Sequence, residues 1–381
     1  MDTQRLAAGV GAAIAAALDE DRIIGTVVAV LFDGQMVLLE AAGLADREAE
    51  RPITADAIFL LASCTKPVAT ATALRLAEDG LVDLDAPVID HLPDFRPHLP
   101  DGEAPAITLR HLLTHTSGLS YPFREAPGGP YHRANVSSGL DQPGLSGAEQ
   151  LARLASVPLL FRPGERWEYS LGVDVAGLML EAAAGQPLDV LVKSRITDPL
   201  GLVDTGFAVT DRSRLVAHYG TSDDGLLERM TGTFWRPTLQ SPAAAAPERI
   251  FDRSSYLSGG AGMAGTAAEL VRVIDALRAG GHPLLSSDST RLMVTDAVPH
   301  LPDVMDIGWS YGLGTHVLRD AILAGGPERS GAFRGSGGYG HIWFADPALG
   351  LSVVALTNSA PEGIRGRYTR ELRQAVYAAF D

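Results

Sequence analysis

Both ends of the chain carry a pair of β-rich runs, and this symmetry limits the fold more than any other feature of the sequence. Residues 25–43 read GTVVAVLFDGQMVLLEAAG, with Asp33-Gly34 between two aliphatic runs. An Asp-Gly pair in that position is a strong signal for a tight β-hairpin. Residues 340–358 read GHIWFADPALGLSVVALTN, a second strand–turn–strand pattern with proline and glycine at its turn. We therefore predict an antiparallel sheet assembled from both ends of the chain.

The middle of the chain favours helices, because apolar residues recur with helical spacing in ATALRLAEDG, SGAEQLARLA and VAGLMLEAAAG. The chain closes with another helical pattern, RGRYTRELRQAVYAAF, whose first part we interpret as a solvated helix face. The sequence thus predicts an α/β sandwich, with a central antiparallel sheet flanked by helices and an inserted, mostly helical region. We assign residues 1–75 and 235–381 to the α/β domain and residues 76–234 to the helical domain and active-site loops.

Two long segments, residues 120–144 and 220–255, are rich in Pro, Gly and Ser and show no regular pattern. Loops of this length in a compact protein are usually disordered or line a binding site. Their aromatic residues favour the second interpretation: Tyr121, Phe123, Tyr131, Phe234 and Trp235.

The net charge of −15 argues against nucleic acid or an anionic membrane surface as a partner, since both select basic surfaces. The single cysteine, Cys64, excludes an internal disulfide and a cysteine-based metal cluster, and it fits a reducing compartment. We interpret the Ala-rich N-terminal segment as a surface helix rather than a signal peptide. The expectation is a cytoplasmic protein without a membrane span, with secretion through that segment as the alternative.

The chain contains only two lysines, Lys66 and Lys193, and the first of them follows Ser63 by three positions. Pro67 predicts the start of a helix, because proline is tolerated in a helix only in the first turn. Ser63 and Lys66 would then share a face near the positive end of the helix dipole, which stabilises an alkoxide. The pattern indicates a nucleophilic serine with a candidate base, or an N-cap serine followed by a surface lysine. Cys64 is a rival nucleophile, but a small buried residue is the better interpretation.

A lysine amine is charged at neutral pH, so it needs desolvation, another cation or a second group to act as a base. Tyr169, at the start of the helical pattern in WEYSLGVDVAG, is the candidate for that second group. A phenolic oxygen beside an ammonium could carry a proton between Ser63 and a leaving group. Taken in isolation, Tyr169 is better explained as a core aromatic.

Several longer stretches carry a family resemblance that covers nearly the whole chain. SCTK and YSL occur together with TLRHLLTHTSGLSY, FRPGERWEYSLGVDVAG, YLSGGAGMAGTAAELVRVIDAL and GSGGYGHIWFADPALGLSVVALTNSAPEG. This combination resembles the serine β-lactamase and penicillin-binding-protein superfamily, and in detail the bacterial family VIII carboxylesterases. The resemblance implies a β-lactamase-like sandwich with the active site in the cleft between the sheet and the helical region.

The resemblance also implies the roles of individual residues. Ser63 would be the acylated nucleophile, Lys66 its partner and Tyr169 the general base and acid. The backbone N–H groups of Ser63 and Tyr339 would form the oxyanion hole. The positions expected to bind substrate are those of the family's third motif and their neighbours around the pocket: Leu171, Ser336, Gly337, Gly338, Tyr121 and His341.

Two departures from the β-lactamase pattern concern the substrate. Leu171 stands where β-lactamases have an asparagine, and Ser336 where they have lysine or histidine. Ser336 also departs from the family VIII esterases, which often have tryptophan there. Losing both polar anchors fits a neutral, more apolar ester better than an anionic lactam. Arg334 or His341 could supply a replacement cation, so lactam binding stays open.

Three other kinds of functional site have weaker support in the sequence. His111 and His115 are four residues apart on a predicted helix, as zinc ligands often are, but the sequence shows no third ligand and the resemblance makes this segment scaffold. GSGGYG precedes a strand rather than a helix, which excludes a nucleotide loop. The Gly-x-Ser-x-Gly elbow of the α/β-hydrolases does not occur.

The sequence therefore predicts a serine hydrolase that cleaves short- to medium-chain carboxylic esters through an acyl-enzyme. It predicts no metal or organic cofactor and a small-molecule ester as the partner, and it leaves the oligomeric state open. The same site could serve a β-lactamase, a D-amino-acid peptidase or amidase, or an acyltransferase. A penicillin-sensor-like binding protein without activity is the alternative from a different class.

Overall fold

The computed structural model describes residues 1–222, 226–231, 234–236, 241, 243–302, 304–360 and 362–380. In these ranges the strands are β1 (Gly25–Phe32), β2 (Gln35–Asp46), β3 (Arg51–Pro52), β4 (Phe59–Leu60), β5 (Tyr219–Thr221), β6 (Leu227–Arg229), β7 (Phe234–Arg236), β8 (Ala243–Ala245), β9 (Ala264–Gly265), β10 (Trp309–Tyr311), β11 (His316–Leu318), β12 (Phe333–Gly337), β13 (His341–Asp346) and β14 (Leu351–Thr357). The α-helices are α1 (Thr3–Asp19), α2 (Thr65–Glu78), α3 (Leu109–Leu113), α4 (Pro130–Arg133), α5 (Gly147–Ala155), α6 (Gly172–Ala184), α7 (Leu188–Val192), α8 (Asp198–Leu200), α9 (Ala267–Arg278), α10 (Ser287–Val294), α11 (Ala321–Ala324), α12 (Glu362–Arg365) and α13 (Arg367–Ala378).

Eight strands form one antiparallel sheet in the order β10-β11-β12-β13-β14-β1-β2-β3. The two ends of the chain meet in its middle, where Val28 of β1 lies opposite Ala355 of β14. Asp33 and Gly34 connect β1 to β2 with φ angles of 46° and 79°, the left-handed values that a tight hairpin of this type requires. The predicted antiparallel sheet from both chain ends is confirmed.

Helices cover both faces of this sheet. Because successive side chains of a strand point to opposite faces, Val27 and Val28 of β1 belong to different cores. Val27 lies in the main core, which α9 covers. Val28 lies in the core beneath α1 and α13, together with apolar residues of those two helices: Leu6, Val10, Ile14, Leu372 and Val376. The central strands β1, β13 and β14 are therefore buried on both sides, as the predicted sandwich requires, whereas β2 is partly exposed.

The first and last helices are also joined through the backbone. Asp2 caps α1 by accepting hydrogen bonds from the N–H groups of Gln4 and Arg5. The N–H of Asp2 itself donates to the carbonyl oxygen of Ala379 at 2.8 Å. The predicted Ala-rich helix is present, with one face buried against the sheet.

Helix α2 is buried on nearly all sides from Thr65 to Leu74, as expected of a helix in the middle of a core. It packs against α6, α7 and α10 and carries Lys66, so the interior of the protein fixes the position of this side chain. The predicted helical region 76–234 contains α3 to α8, and its end also contains short strands. Strand β5 returns to the sheet domain through a bridge between Tyr219 and Ser359. The two domain boundaries stay a prediction.

Among the described helices, none is by itself both long and apolar enough to cross a membrane. One bent pair, residues 172–184 and 188–200, meets both criteria when its two members are taken together. Residues 172–180 of that pair are buried within the protein.

Candidate active site

Ser63 lies at the turn between strand β4 and helix α2. Residues Ala62–Cys64 form a single 3-10 turn, and α2 begins at Thr65, two residues before the predicted start at Pro67. Ala62 has a φ of 46°, in the left-handed region that alanine rarely adopts. Backbone strain of this kind clusters at functional sites, and here it immediately precedes the serine hydroxyl.

The structure brings the three predicted catalytic side chains together. Nζ of Lys66 lies 3.2 Å from Oγ of Ser63, and the phenolic oxygen of Tyr169 lies 2.9 Å from the same Oγ. Nζ of Lys66 also donates to the carbonyl oxygen of Gly260 at 2.8 Å and to the phenolic oxygen of Tyr121 at 3.1 Å. One hydroxyl group thus contacts both a buried cation and a phenol, which is the arrangement that an activated serine requires.

The surroundings of Lys66 are aromatic and acidic. Its Nζ lies 4.8 Å from the centre of the Tyr169 ring and 5.6 Å from that of Tyr121. Behind it, the carboxyl group of Asp174 is fully buried and accepts a hydrogen bond from Oγ of Ser258 at 2.5 Å. Burial raises the pKa of Asp174, whereas the nearby Lys66 ammonium lowers it.

Two rival residues fit the catalytic role less well. Burial raises the pKa of the Cys64 thiol, and this side chain is fully enclosed, so Cys64 is a structural residue as predicted. Burial also holds the pKa of Tyr121 well above its usual value, so this phenol keeps its proton. Tyr169, which is only partly buried and contacts Ser63 directly, is the better candidate for proton transfer.

Strand β12 lies directly against the turn that carries Ser63. A Cβ atom on Gly337 would come within 2.5 Å of the carbonyl oxygen of Leu61 and 2.9 Å of Sγ of Cys64. A glycine is therefore required for this close approach, which explains the residue type at this position of the third motif.

Two buried histidines hold strand β4, which precedes the serine. The N–H of Leu60 donates to Nε2 of His218 at 3.3 Å, and Nε2 of His341 lies 2.8 Å from the carbonyl oxygen of Leu60. The ring of Tyr339, two residues before His341, packs against His218 with 4.7 Å between ring centres. The histidines therefore connect the two segments that contain Ser63 and Tyr339, whose N–H groups remain the predicted oxyanion donors.

We expect these buried histidines to make the fold sensitive to acid. Burial lowers the pKa of His218 to about 3 and that of His341 to about 4, and it holds the pKa of His115 well below its ordinary value. In the unfolded chain a histidine has a pKa of about 6.5, so below that pH only the unfolded state takes up these protons. The stabilisation is complete above about pH 6.5 and is lost as the pH falls towards the folded values. The thermal midpoint should fall by roughly 10 °C between pH 7 and pH 5.

Scanning calorimetry at pH 7, 6 and 5 measures this dependence. His218→Gln should flatten the slope, whereas His300→Gln, at an exposed position, should leave it as in the wild type. A thermal midpoint that stays constant from pH 7 to pH 5 would contradict the expectation.

A cavity of 520 Å³ opens above Ser63 and is lined mainly by apolar surface. Of the predicted substrate-binding residues, Ser336 and Gly338 line this cavity. Aromatic and aliphatic side chains from distant parts of the sequence form most of its remaining wall: Phe123, Tyr169, Met305, Tyr311, Trp343 and Ile364. The predicted role of Phe123 as a lining residue therefore agrees with the structure, while for Phe234 and Trp235 the side chains lie outside what the structure describes.

Four residues predicted to contact substrate do not line the cavity. The prediction was wrong for them because residue type does not reveal the direction of a side chain. Leu171 is fully buried in the main core, and Gly337 is pressed against Leu61. Tyr121 is buried beside Lys66, and His341 faces the backbone of β4. These four positions support the site from behind and do not form the cavity wall.

Several lining residues could not be predicted from any pattern in the sequence. Tyr311 and His316 belong to the short hairpin β10–β11, which no pattern in the sequence indicated. Arg365 lies in the stretch interpreted as a solvated helix face, but it also lines the cavity.

The two histidines considered as zinc ligands have structural contacts. Nδ1 of His111 accepts a hydrogen bond from the N–H of Thr108, which closes the cap of helix α3. His115 is buried and its Nδ1 lies 3.0 Å from Oγ of Ser170. Within the described ranges, no group of three or more His, Cys, Asp or Glu side chains is arranged to hold a metal ion.

The antiparallel sheet, the core helix and the Ser63–Lys66–Tyr169 cluster define a protein of the β-lactamase fold class. The chain belongs to the beta-lactamase family, whose profile matches residues 10–378. The resemblance and the fold predicted from the sequence are thereby confirmed.

The relatives that resemble this chain include proteins named as esterases and as acyltransferases. The chain is 43% identical over 385 residues to Esterase EstB of Burkholderia gladioli, covering 99% of this chain and 97% of that protein. It is 30% identical over 370 residues to monacolin J acid methylbutanoyltransferase of Aspergillus terreus, covering 86% and 84% of the two chains. A solved structure of EstCE1, a hydrolase with promiscuous acyltransferase activity, superimposes with a TM-score of 0.92 at 38% identity and covers 98% of this chain and 99% of that one.

Proposed function

We propose that this protein is a serine hydrolase that cleaves short- to medium-chain carboxylic esters through an acyl-enzyme on Ser63. The observation that carries the proposal is the pair of contacts on one hydroxyl group: Lys66 and Tyr169 lie 3.2 and 2.9 Å from Oγ of Ser63, beneath an apolar cavity. The full-length similarity to Esterase EstB supports the same reaction.

The contacts of Lys66 indicate different roles for Lys66 and Tyr169, the two residues that contact Oγ of Ser63. An ammonium has three donors, and three acceptors surround its Nζ: the carbonyl oxygen of Gly260, the phenolic oxygen of Tyr121 and Oγ of Ser63. This arrangement matches a charged lysine. Lys66 then supplies a positive field, which stabilises negative charge on the oxygens of Ser63 and Tyr169, and Tyr169 acts as the base.

In the proposed reaction, Oγ of Ser63 attacks the ester carbonyl carbon while its proton moves to the Tyr169 phenolate. The N–H groups of Ser63 and Tyr339 stabilise the oxyanion that develops. The bond to the alcohol breaks as Tyr169 returns the proton to the departing alkoxide, which leaves Ser63 acylated. Tyr169 then deprotonates an attacking water, and the proton returns to Ser63 as the carboxylic acid is released.

Within this proposal the enzyme is a family VIII carboxylesterase that acts in the cytoplasm. The Ser-x-x-Lys sequence at Ser63 supports the first statement. The lone buried Cys64 is compatible with the second.

A substrate panel tests the proposal. We expect p-nitrophenyl butyrate to be hydrolysed at least about 100-fold more efficiently than nitrocefin, because the wall beside Ser63 is largely apolar and Ser336 stands where β-lactamases have lysine or histidine. From acetate to butyrate, kcat/KM should rise up to about 10-fold, since each buried methylene contributes about 0.8 kcal/mol. The measurement is the initial rate for the acetate, butyrate and octanoate esters and for nitrocefin at equal enzyme concentration. Faster turnover of nitrocefin would make the protein a β-lactamase, and no turnover at all would favour a binding protein.

Acyl transfer is a second candidate activity, because one relative is named an acyltransferase, EstCE1 is described as a hydrolase with promiscuous acyltransferase activity, and the cavity is largely apolar. An apolar site favours an alcohol over water as the acceptor for the acyl group. The panel with butyrate ester is therefore repeated in the presence of 1-butanol. The ratio of butyl butyrate to butyric acid measures the share of acyl transfer.

A further inference from the structure

The charge of the catalytic cavity differs from that of the protein as a whole. The chain has 46 acidic and 31 basic residues, not counting histidine. The described residues that line the cavity nevertheless include four cations and no carboxylate. Of these cations, Lys66 contacts Ser63, and Arg124 pairs with Glu168 at 2.8 Å. The other two are Arg334 and Arg365.

Arg334 is held in place by its neighbours. It lies on β12, two residues before Ser336, so the two side chains leave the same face of the strand about 7 Å apart. Its guanidinium stacks on the ring of Trp309, 3.6 Å from the ring centre, and forms an ion pair with Asp306. Arg334 is thus a rigid cation at one end of the cavity.

Arg365 adds a second positive charge near Arg334, since both residues line the same two cavities. It is the last residue of α12, its side chain is exposed, and within the described ranges it makes no ion pair. Burial lowers the pKa of Arg334 to about 10, and the charge of Arg365 contributes to this shift. The two guanidinium groups are therefore near enough to repel each other, and Asp306 alone does not neutralise them.

A second cavity of 650 Å³ continues from this end and shares Arg334, Ser336, Trp343 and Arg365 with the catalytic cavity. Two further arginines line it, Arg370 and Arg373, together with two acidic residues that pair with arginines: Asp306 with Arg334, and Glu328 with Arg373. The cleft therefore changes from apolar beside Ser63 to net positive at its outer end. Positive charge gathered in one cleft of an acidic protein attracts anions.

We propose that Arg365 and Arg334 form an anion subsite and that the preferred substrates are esters that also carry a carboxylate group. This proposal rests on the ester hydrolysis proposed above and specifies its substrate class. The guanidinium groups bind the carboxylate by charge-assisted hydrogen bonds, while the ester group of the same molecule lies at Ser63. The cation that β-lactamases have at the position of Ser336 is thereby replaced by arginines from two other positions. His341 does not contribute, because it is buried behind the strand.

Pairs of substrates that differ only in charge test the proposal. For the acyl half of the ester, the pair is mono-p-nitrophenyl adipate and p-nitrophenyl hexanoate. For the alcohol half, the pair is 4-carboxyphenyl butyrate and 4-carbamoylphenyl butyrate. In the wild type, kcat/KM for the anionic member should exceed that for the neutral member at least about tenfold in one of the pairs, which also shows which half carries the charge.

The variant Arg365→Gln should lower this anionic-to-neutral ratio about tenfold, because one charge-assisted contact is lost. Arg367→Gln is the matched control, since Arg367 lies two residues away and pairs with Glu20 and Glu371 outside both cavities. The control should keep the wild-type ratio. A wild-type ratio of one or less in both pairs overturns the proposal, and so does a ratio that Arg365→Gln leaves unchanged.

Calorimetric titration with adipate provides a test that does not require turnover. The wild type should bind adipate about tenfold more tightly than Arg365→Gln, and Arg367→Gln should bind like the wild type. Adipate binding that depends on Arg365, without hydrolysis of any ester, would refute the proposed function and support the subsite. Hydrolysis of esters with equal adipate affinity in all three proteins would support the function and refute the subsite.

Discussion

Ser63→Ala is expected to lower kcat for p-nitrophenyl butyrate by about 10⁵-fold, because Ser63 carries the hydroxyl group that contacts both Lys66 and Tyr169. Residual activity would come from the polarised cavity acting on water directly. The measurement is the initial rate at saturating substrate, with mass spectrometry after fluorophosphonate treatment to detect the modified serine. Wild type should gain one adduct on Ser63, and the variant should gain none.

The neighbouring cysteine gives this experiment a matched control. Cys64 is next in sequence, fully buried and held away from the cavity, so Cys64→Ala tests whether any small change in this turn abolishes activity. It should retain kcat within about threefold of the wild type. Ester turnover that survives Ser63→Ala but not Cys64→Ala would show that the nucleophile is misassigned.

Lys66→Met should lower kcat by about 10³- to 10⁴-fold, since the variant keeps the length of the side chain but removes the positive field at Ser63 and Tyr169. It also leaves the carbonyl oxygen of Gly260 without its donor and the buried carboxyl of Asp174 without the nearby cation. We therefore expect a lower thermal midpoint in addition to the loss of turnover.

The second lysine of the chain is the control for this variant. Lys193 is exposed and pairs with Asp198 at the surface, so Lys193→Met should keep both kcat and the thermal midpoint near those of the wild type. Circular dichroism at the assay temperature separates loss of folding from loss of catalysis. A folded Lys66→Met protein with more than a tenth of wild-type activity would refute the role of Lys66.

The sheet was predictable from the sequence because each of its signals is local. Asp33-Gly34 indicates a hairpin, and the aliphatic runs on either side are typical of strands, of which β1 is buried and β2 is partly exposed. The start of helix α2 was less predictable. Pro67 indicated a start two residues too late, because proline is tolerated throughout the first turn and does not fix the first residue of the helix.

For the site, the sequence predicted the catalytic residues but not the directions in which the surrounding side chains point. The family pattern identified Ser63, Lys66 and Tyr169, and the structure places them in contact. Leu171 and His341 belong to the stretches that carry the family resemblance, yet both side chains are buried and neither lines the cavity. Arg365 was missed for the opposite reason, since a charged residue at the start of the predicted closing helix indicates a solvent contact, whereas in the structure it is the last residue of α12.

The hydrogen bond between Asp2 and Ala379 and the pairing of β1 with β14 bring the first and the last elements of the fold together. Strand β1 pairs at once with the neighbouring β2, but β14, its partner on the other side, follows only after the whole helical region. The nascent chain must therefore carry a strongly apolar strand with one open edge until β14 is made, and such an edge is prone to aggregation. The same sheet that supports the catalytic cleft thus leaves the growing chain dependent on protection until β14 pairs with β1.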